Sequence, residues 1–235
     1  MFLSSVYDKF CAAEKKYCPS FGDFCTSMQI EFITSLFLKD FDGADFVSKI
    51  ENSERKIPAI NFEYAEIPSD IILIKGVDKD VVSHRDVLGS VMNLGIKRSK
   101  IGDIIVGDKV YLEVKNEITP YILSNLSKIR NRNVEPLIFE GELSRTYEFK
   151  EMNLTVSSLR ADCIVSGLAN LSRENAKELI LSGRVSVNSK VFDSPSKCFA
   201  QGDVISIRGN GKYLFSEECG TTKKERLKII IKKYI

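Results

Sequence analysis

The chain of 235 residues carries one histidine, His84, so any catalytic triad or imidazole proton relay has a single place to be built. Its neighbour Ser83 is better placed as a helix cap than as a nucleophile, and no convergent partners stand out. The run His84-Arg85-Asp86 invites comparison with a kinase catalytic loop. That loop needs an asparagine five residues after the aspartate, where this chain has Val91, and a glycine-rich loop and an Asp-Phe-Gly are also missing. A glycine-rich cofactor loop following a strand is absent too, which weighs against a methyltransferase. There is no apolar run of about 18 residues, so no membrane-spanning helix is expected. Asp8, Lys9 and Glu14 to Lys16 interrupt what would have to be the hydrophobic part of a signal peptide.

Six cysteines without such a signal read as reduced thiols of a cytoplasmic protein. Cys11, Cys18 and Cys25 stand seven apart, whereas metal sites favour two to four intervening residues and a fourth ligand. Buried apolar thiols are therefore expected, with no metal and no cofactor. Hydrophobic content of 43% and charged content of 28% belong to a globular chain long enough for two domains, or one with appendages. The net charge of +2 hides an asymmetry: residues 151–235 hold 14 Lys and Arg against 9 Asp and Glu, and residues 1–150 hold 20 against 23. The basic end is the expected nucleic-acid end.

Coarse periodicity organises the rest. Residues 1–70 read as a helical segment with one strand: Val6, Phe10, Ala13 and Tyr17 share a helical face, Met28 to Leu38 forms a second amphipathic run, and Ile57 to Tyr64 a strand. From 71 to 150 the order is strand (71–75), helix (84–93, capped by Ser83 and Asp86), two strands (101–106 and 110–115) around Gly107-Asp108, helix (117–129) and strand (134–139). This is the split βαβ, or ferredoxin-like, arrangement. RNA-recognition domains with this order stack bases on aromatic residues of the central strands, but here those strands offer only Tyr111, so a stacking platform is doubtful. Arg85, Lys97, Arg98 and Lys100 are not explained by capping and are expected to face solvent and phosphate.

The densest pattern lies in residues 151–235. Two short helices, the second capped by Ser172 and closed by Gly183, precede the strand Val185-Ser186-Val187, a turn at Asn188-Ser189, and a strand opened by Gly202-Asp203. Lys212 to Phe215 and Leu227 to Ile231 form a terminal hairpin, whose loop holds Lys223, Lys224 and Arg226. Arg160, Arg173, Lys177, Arg184 and Lys190 are candidate phosphate ligands, with the amino end of the second helix supplying free amides.

The residues Arg160-x-Asp162, Leu171-Ser172-Arg173, Ala176, Leu179-Ile180, Gly183, Val185, Val187-Asn188, Pro195 and Gly202-Asp203-Val204-Ile205-Ser206-Ile207 resemble the S4 RNA-binding domain, an αL-type module. Ala161, where the family usually has leucine, departs from it. Together with SHRDVLG (83–89) and LGIKRSKIGDI (94–104), the chain is similar to the YlmH-type RNA-binding proteins of Gram-positive bacteria. The resemblance implies an α+β protein with a helical amino-terminal segment, a ferredoxin-like centre and a carboxyl-terminal S4 domain. It further implies a cytoplasmic, non-enzymatic protein, a monomer off the ribosome and not bound to membranes. Its partners would be the rRNA of the large ribosomal subunit, peptidyl-tRNA and ribosome quality control proteins. The alternative is an RNA-modifying enzyme, pseudouridine synthase-like or methyltransferase-like, that uses the module to hold its substrate, with Asp86 or Asp103 as the available carboxylates. In such enzymes the module commonly comes first, and here it comes last.

Overall fold

The computed structural model describes residues 2–222 and 225–234, and the chain divides into two compact units, Met1–Thr146 and Tyr147–Ile235. No helix among the described residues is long and apolar enough to cross a membrane.

In the first unit α1 (Phe2–Lys16) buries Val6, Phe10 and Ala13 along one face. Tyr17 does not extend that stripe. The helix stops at Lys16, Tyr17 takes a left-handed backbone with φ 50°, and its side chain is 91% exposed. After β1 (Ser20–Phe21), α2 (Ser27–Leu36) opens with a reciprocal capping box between Thr26 and Gln29. β2 (Asp45–Val47), β3 (Ile50–Glu51) and β4 (Ile57–Ile60) follow, giving four short strands where the sequence suggested one. β4 lies between β1 and β2 in a small sheet, and Ile60 joins Phe10, Cys25, Ile33 and Phe41 in a core of its own.

The chain then runs β5 (Ser69–Lys75), α3 (His84–Met92), β6 (Ile101–Val106), β7 (Val110–Lys115), α4 (Thr119–Asn125), β8 (Lys128–Ile129), β9 (Arg132–Asn133), β10 (Glu135–Ile138) and β11 (Leu143–Ser144). Four of these strands form an antiparallel sheet in the order β10-β5-β7-β6. Side chains alternate between the faces of a strand. Ile72 and Ile74 of β5 and Val110, Leu112 and Val114 of β7 therefore share one core with Val87 and Val91 of α3 and Ile122 of α4.

The opposite sheet face is closed by the amino-terminal segment through a polar seam. Glu113 on β7 accepts hydrogen bonds from Ser48 Oγ (2.6 Å), Ser69 Oγ (2.8 Å) and the Lys49 amide (2.9 Å). Asp103 accepts from the amides of Glu54 and Arg55 at 2.9 and 3.0 Å and pairs with Arg145 at 2.6 Å. Arg55 in turn donates to the carbonyls of Phe24, Arg98 and Ile101, and Lys115 Nζ donates to the Gly22 carbonyl at 3.0 Å. Among the described residues no buried side-chain nitrogen or oxygen lacks a partner, so the desolvation cost of these charges is offset.

The second unit is a six-stranded sheet in the order β12-β17-β16-β15-β13-β14. Its elements in chain order are β12 (Phe149–Val156), α5 (Ala161–Ala169), α6 (Arg173–Leu181), β13 (Val185–Val187), β14 (Lys190–Val191), β15 (Val204–Ile207), β16 (Gly211–Thr221) and β17 (Leu227–Tyr234). Ala161, Ile164 and Val165 of α5 and Ala176 and Ile180 of α6 pack with Val185, Ile205, Ile207, Phe215, Ile229 and Ile231. Ala161 is fully buried despite its small size. The terminal hairpin is longer than expected, and β12, which pairs with β17 along its whole length, was not expected at all.

Candidate nucleic-acid interface

In the second unit the candidate site is built around one carboxylate. Asp162, in the first turn of α5, is fully buried and accepts two hydrogen bonds from Arg160, from Nε and Nη2, each 3.1 Å long, and one from Arg173 Nη2 at 3.0 Å. Its backbone amide donates to the Pro195 carbonyl, while that of Ala161 donates to Lys197. Burial alone would raise the Asp162 pKa, but the hydrogen bonds from Arg160 and then Arg173 outweigh it and hold the group at about 2. Arg160, bonded to that carboxylate, is raised correspondingly. Two guanidinium groups are thereby fixed side by side, their side chains 37% and 50% exposed. Part of each faces water.

Arg173 is also the first residue of α6, whose N-cap Ser172 accepts from the Asn175 amide at 3.2 Å. The arginine pair thus stands at a helix amino terminus, where unpaired amides and the helix dipole favour an anion. Lys177 lies one turn on and pairs loosely with Glu174 at 3.4 Å.

Arg184 is elsewhere. It follows Gly183, which caps α6 at φ 69°, so it stands on the order of 15 Å along the helix from Arg173. There the Arg208 amide donates to the Arg184 carbonyl, and both arginines line a shallow hollow of about 340 Å³ with Ser186, Ser189 and Ser206. Arg208 was missed by sequence reasoning, although its place just after the last residue of β15 could have suggested it. Lys190 is exposed at the start of β14. Asn188 and Ser189 turn the chain with φ 49° and 68°. The Asn188 side chain bonds both Asp203 and the Val204 amide, so the Val187-Asn188 and Gly202-Asp203 motifs brace each other. The five expected phosphate ligands therefore form two places, Arg160, Arg173 and Lys177 at one end of α6 and Arg184 and Lys190 beyond the other. Lys223 and Lys224 lie outside the described residues; Arg226, also in that loop, donates to the Thr155 carbonyl.

In the first unit the expectation that Arg98 and Lys100 face solvent is corrected. Arg98 donates to the carbonyls of Ile101 (2.6 Å) and Gly102 (3.3 Å), and burial, then the charge of Arg55, lowers its pKa to about 10. Lys100 bridges Asp23 at 2.6 Å and Glu117 at 2.7 Å. Lys97 is exposed. His84 is at the first position of α3, where desolvation, then Arg98 and Arg145, lower its pKa. Ser83 and Asp86 form the expected reciprocal cap, and Asp103 is consumed by the seam, so both carboxylates of the enzyme alternative hold the fold.

Arg85 is exposed and lines an open cleft of about 540 Å³ between α3 and the segment from Asn125 to Arg130. Lys128 and Arg130 line the same cleft. They belong to the β8–β9 hairpin, which lies where the sequence suggested the end of one long helix.

Residues 70–138, the βαββαβ part, match the family model described as "Putative RNA-binding domain in YlmH". Over 183 residues the chain is 32% identical to the "Ribosome-associated protein quality control protein P2" of Bacillus subtilis (strain 168). The chain is thus similar to YlmH-type proteins. The match covers 76% of this chain and 66% of the curated relative, just under two thirds of that protein's length. A solved structure, "Cell division protein ylmH from Streptococcus pneumoniae", aligns with a TM-score of 0.48 at 21% identity, covering 59% of this chain and 89% of that one.

Proposed function

We propose that this chain is a non-enzymatic, cytoplasmic protein that binds structured RNA of the large ribosomal subunit together with peptidyl-tRNA, in the quality control of stalled nascent chains. The observation that carries the reading is the pair of guanidinium groups, Arg160 and Arg173, fixed by buried Asp162 at the amino end of α6. Holding both arginines on one carboxylate removes much of the rotamer entropy that binding would otherwise cost. Each keeps donors for a phosphate, and the nearby helix amides add more. Ser172, Lys177, Arg184 and Lys190 extend the contact along α6 and past its end. The printed name of the curated relative supports the ribosomal setting, and the structural employment of Asp86 and Asp103 supports binding without covalent chemistry.

The test is ribosome co-sedimentation. Arg173→Glu with Arg184→Glu is expected to release the full chain from large subunits at moderate salt, at unchanged helix content by circular dichroism. Co-sedimentation that survives the double reversal would contradict the reading.

A further inference from the structure

The split βαβ order of the first unit suggests an RNA-recognition domain, yet its usual binding face is spent. Glu113, Asp103 and Lys115 on that sheet face are bonded to the amino-terminal segment, and Phe24 lies against Gly102. We infer that RNA engages this unit on its helix side, in the cleft between α3 and the β8–β9 hairpin, as a single-stranded segment whose phosphates meet Arg85, Lys128 and Arg130. The inference rests on the RNA-binding reading above and adds a second site to it.

Three features of the cleft point this way. First, its cations are presented to solvent: Arg85 and Lys128 are exposed, and Arg130 is 61% exposed. The one carboxylate lining it, Asp86, is engaged by the Ser83 cap and pairs with Arg130 only at 3.7 Å. Second, beside Leu94 and Leu126 the lining presents the neutral polar side chains of Ser90, Asn93, Asn125 and Ser127, groups able to meet ribose hydroxyls and base edges. Tyr121, 49% exposed, donates to the carbonyl of the lining residue Leu94 and offers a ring for a base to stack on. Third, Gly89 sits mid-helix in α3 and lines the cleft, and a Cβ there would meet nothing within 4 Å. Glycine is a poor helix residue, and no packing contact calls for it here. It keeps the wall of the cleft low.

The experiment measures binding of the full chain to two fluorescent probes across a salt series, a short oligouridylate and a stable RNA hairpin. Arg85→Gln with Lys128→Gln and Arg130→Gln is expected to weaken oligouridylate about tenfold or more and to flatten the logarithmic salt slope by about 2. Arg173→Gln with Arg184→Gln is expected to weaken the hairpin and spare the oligouridylate. Gly89→Leu is expected to weaken oligouridylate while the thermal midpoint stays level or rises, which separates filling of the cleft from loss of fold. Oligouridylate binding that is unchanged in the triple variant and in Gly89→Leu overturns the cleft and leaves the first reading standing. A wild-type chain that binds neither probe overturns both. Loss of oligouridylate in the triple variant accompanied by an equal loss of the hairpin also overturns the cleft as a separate single-strand site.

Discussion

Asp162 shows how one side chain sets the chemistry of its surroundings. Its pKa is held below the unfolded value, at about 2, so it stabilises the fold above the usual carboxylate pKa, and that stability is lost as pH falls from about 4 through 2. With its arginine partners partly in water, the contribution is on the order of 1–2 kcal/mol. Asp162→Asn is expected to cost about that much in urea unfolding of the carboxyl-terminal unit at pH 7 and to flatten the dependence between pH 4 and 2. An unchanged acid limb would show that the arginines are not braced by this charge. Lys115 carries the opposite sign. Burial lowers its pKa to about 8, so the unfolded chain binds more protons above that pH and stability rises from pH 8 toward the unfolded pKa near 10.5. Between pH 8 and 9 the wild type is expected to gain about 1 kcal/mol relative to Lys115→Met. Denaturation midpoints that keep the same spacing across that window would sink the assignment. The Arg160-x-Asp162 and Ser172-Arg173 motifs were legible in the sequence because their partners are local. The fate of Lys100 was not legible, because its partner Asp23 lies 77 residues away.

At the scale of elements, the sequence was most readable where local chemistry decides. The Ser83 and Asp86 cap, the strands at 101–106 and 110–115, and the turn at Asn188-Ser189 each follow from residues within a few positions. The β8–β9 hairpin was hidden because Leu126 and Ile129, three apart, continue the apolar spacing of α4, while Arg130 adopts φ 53° and reverses the chain. β12 was readable and overlooked: Met152, Leu154 and Val156 alternate inward, facing Ile231, Ile229 and Leu227 of β17. Ser83→Ala is expected to cost about 1 kcal/mol, measurable in the unfolding of the first unit, with no loss of hairpin RNA binding. Gly102→Ala probes the seam. A Cβ there would stand 2.7 Å from the Phe24 ring, which is 1% exposed and has little room to retreat. Destabilisation of about 1–3 kcal/mol is expected, with increased protease sensitivity of residues 1–60. A neutral outcome would mean that the amino-terminal segment is not packed on the sheet as described.

For the whole molecule, charge and topology separate the tasks. The first unit is acidic on balance and spends most of its buried charge joining an amino-terminal segment to the sheet, leaving one cationic cleft on the helix side. The second unit carries the positive excess, with cations at both ends of α6 and others along β16 and β17. The charge asymmetry was visible in the sequence. The covering of the sheet was not, because it depends on contacts across tens of residues, such as Arg55 with Asp103 and Ser48 with Glu113. The most direct measurement is ultraviolet cross-linking of the full chain to large ribosomal subunits carrying peptidyl-tRNA, read out by mass spectrometry. Cross-linked peptides are expected from residues 159–177, around the arginine pair. Cross-links confined to residues 1–60, or none from the α6 region at a salt where the chain still co-sediments, would contradict the claim that the Asp162-braced arginines hold the RNA.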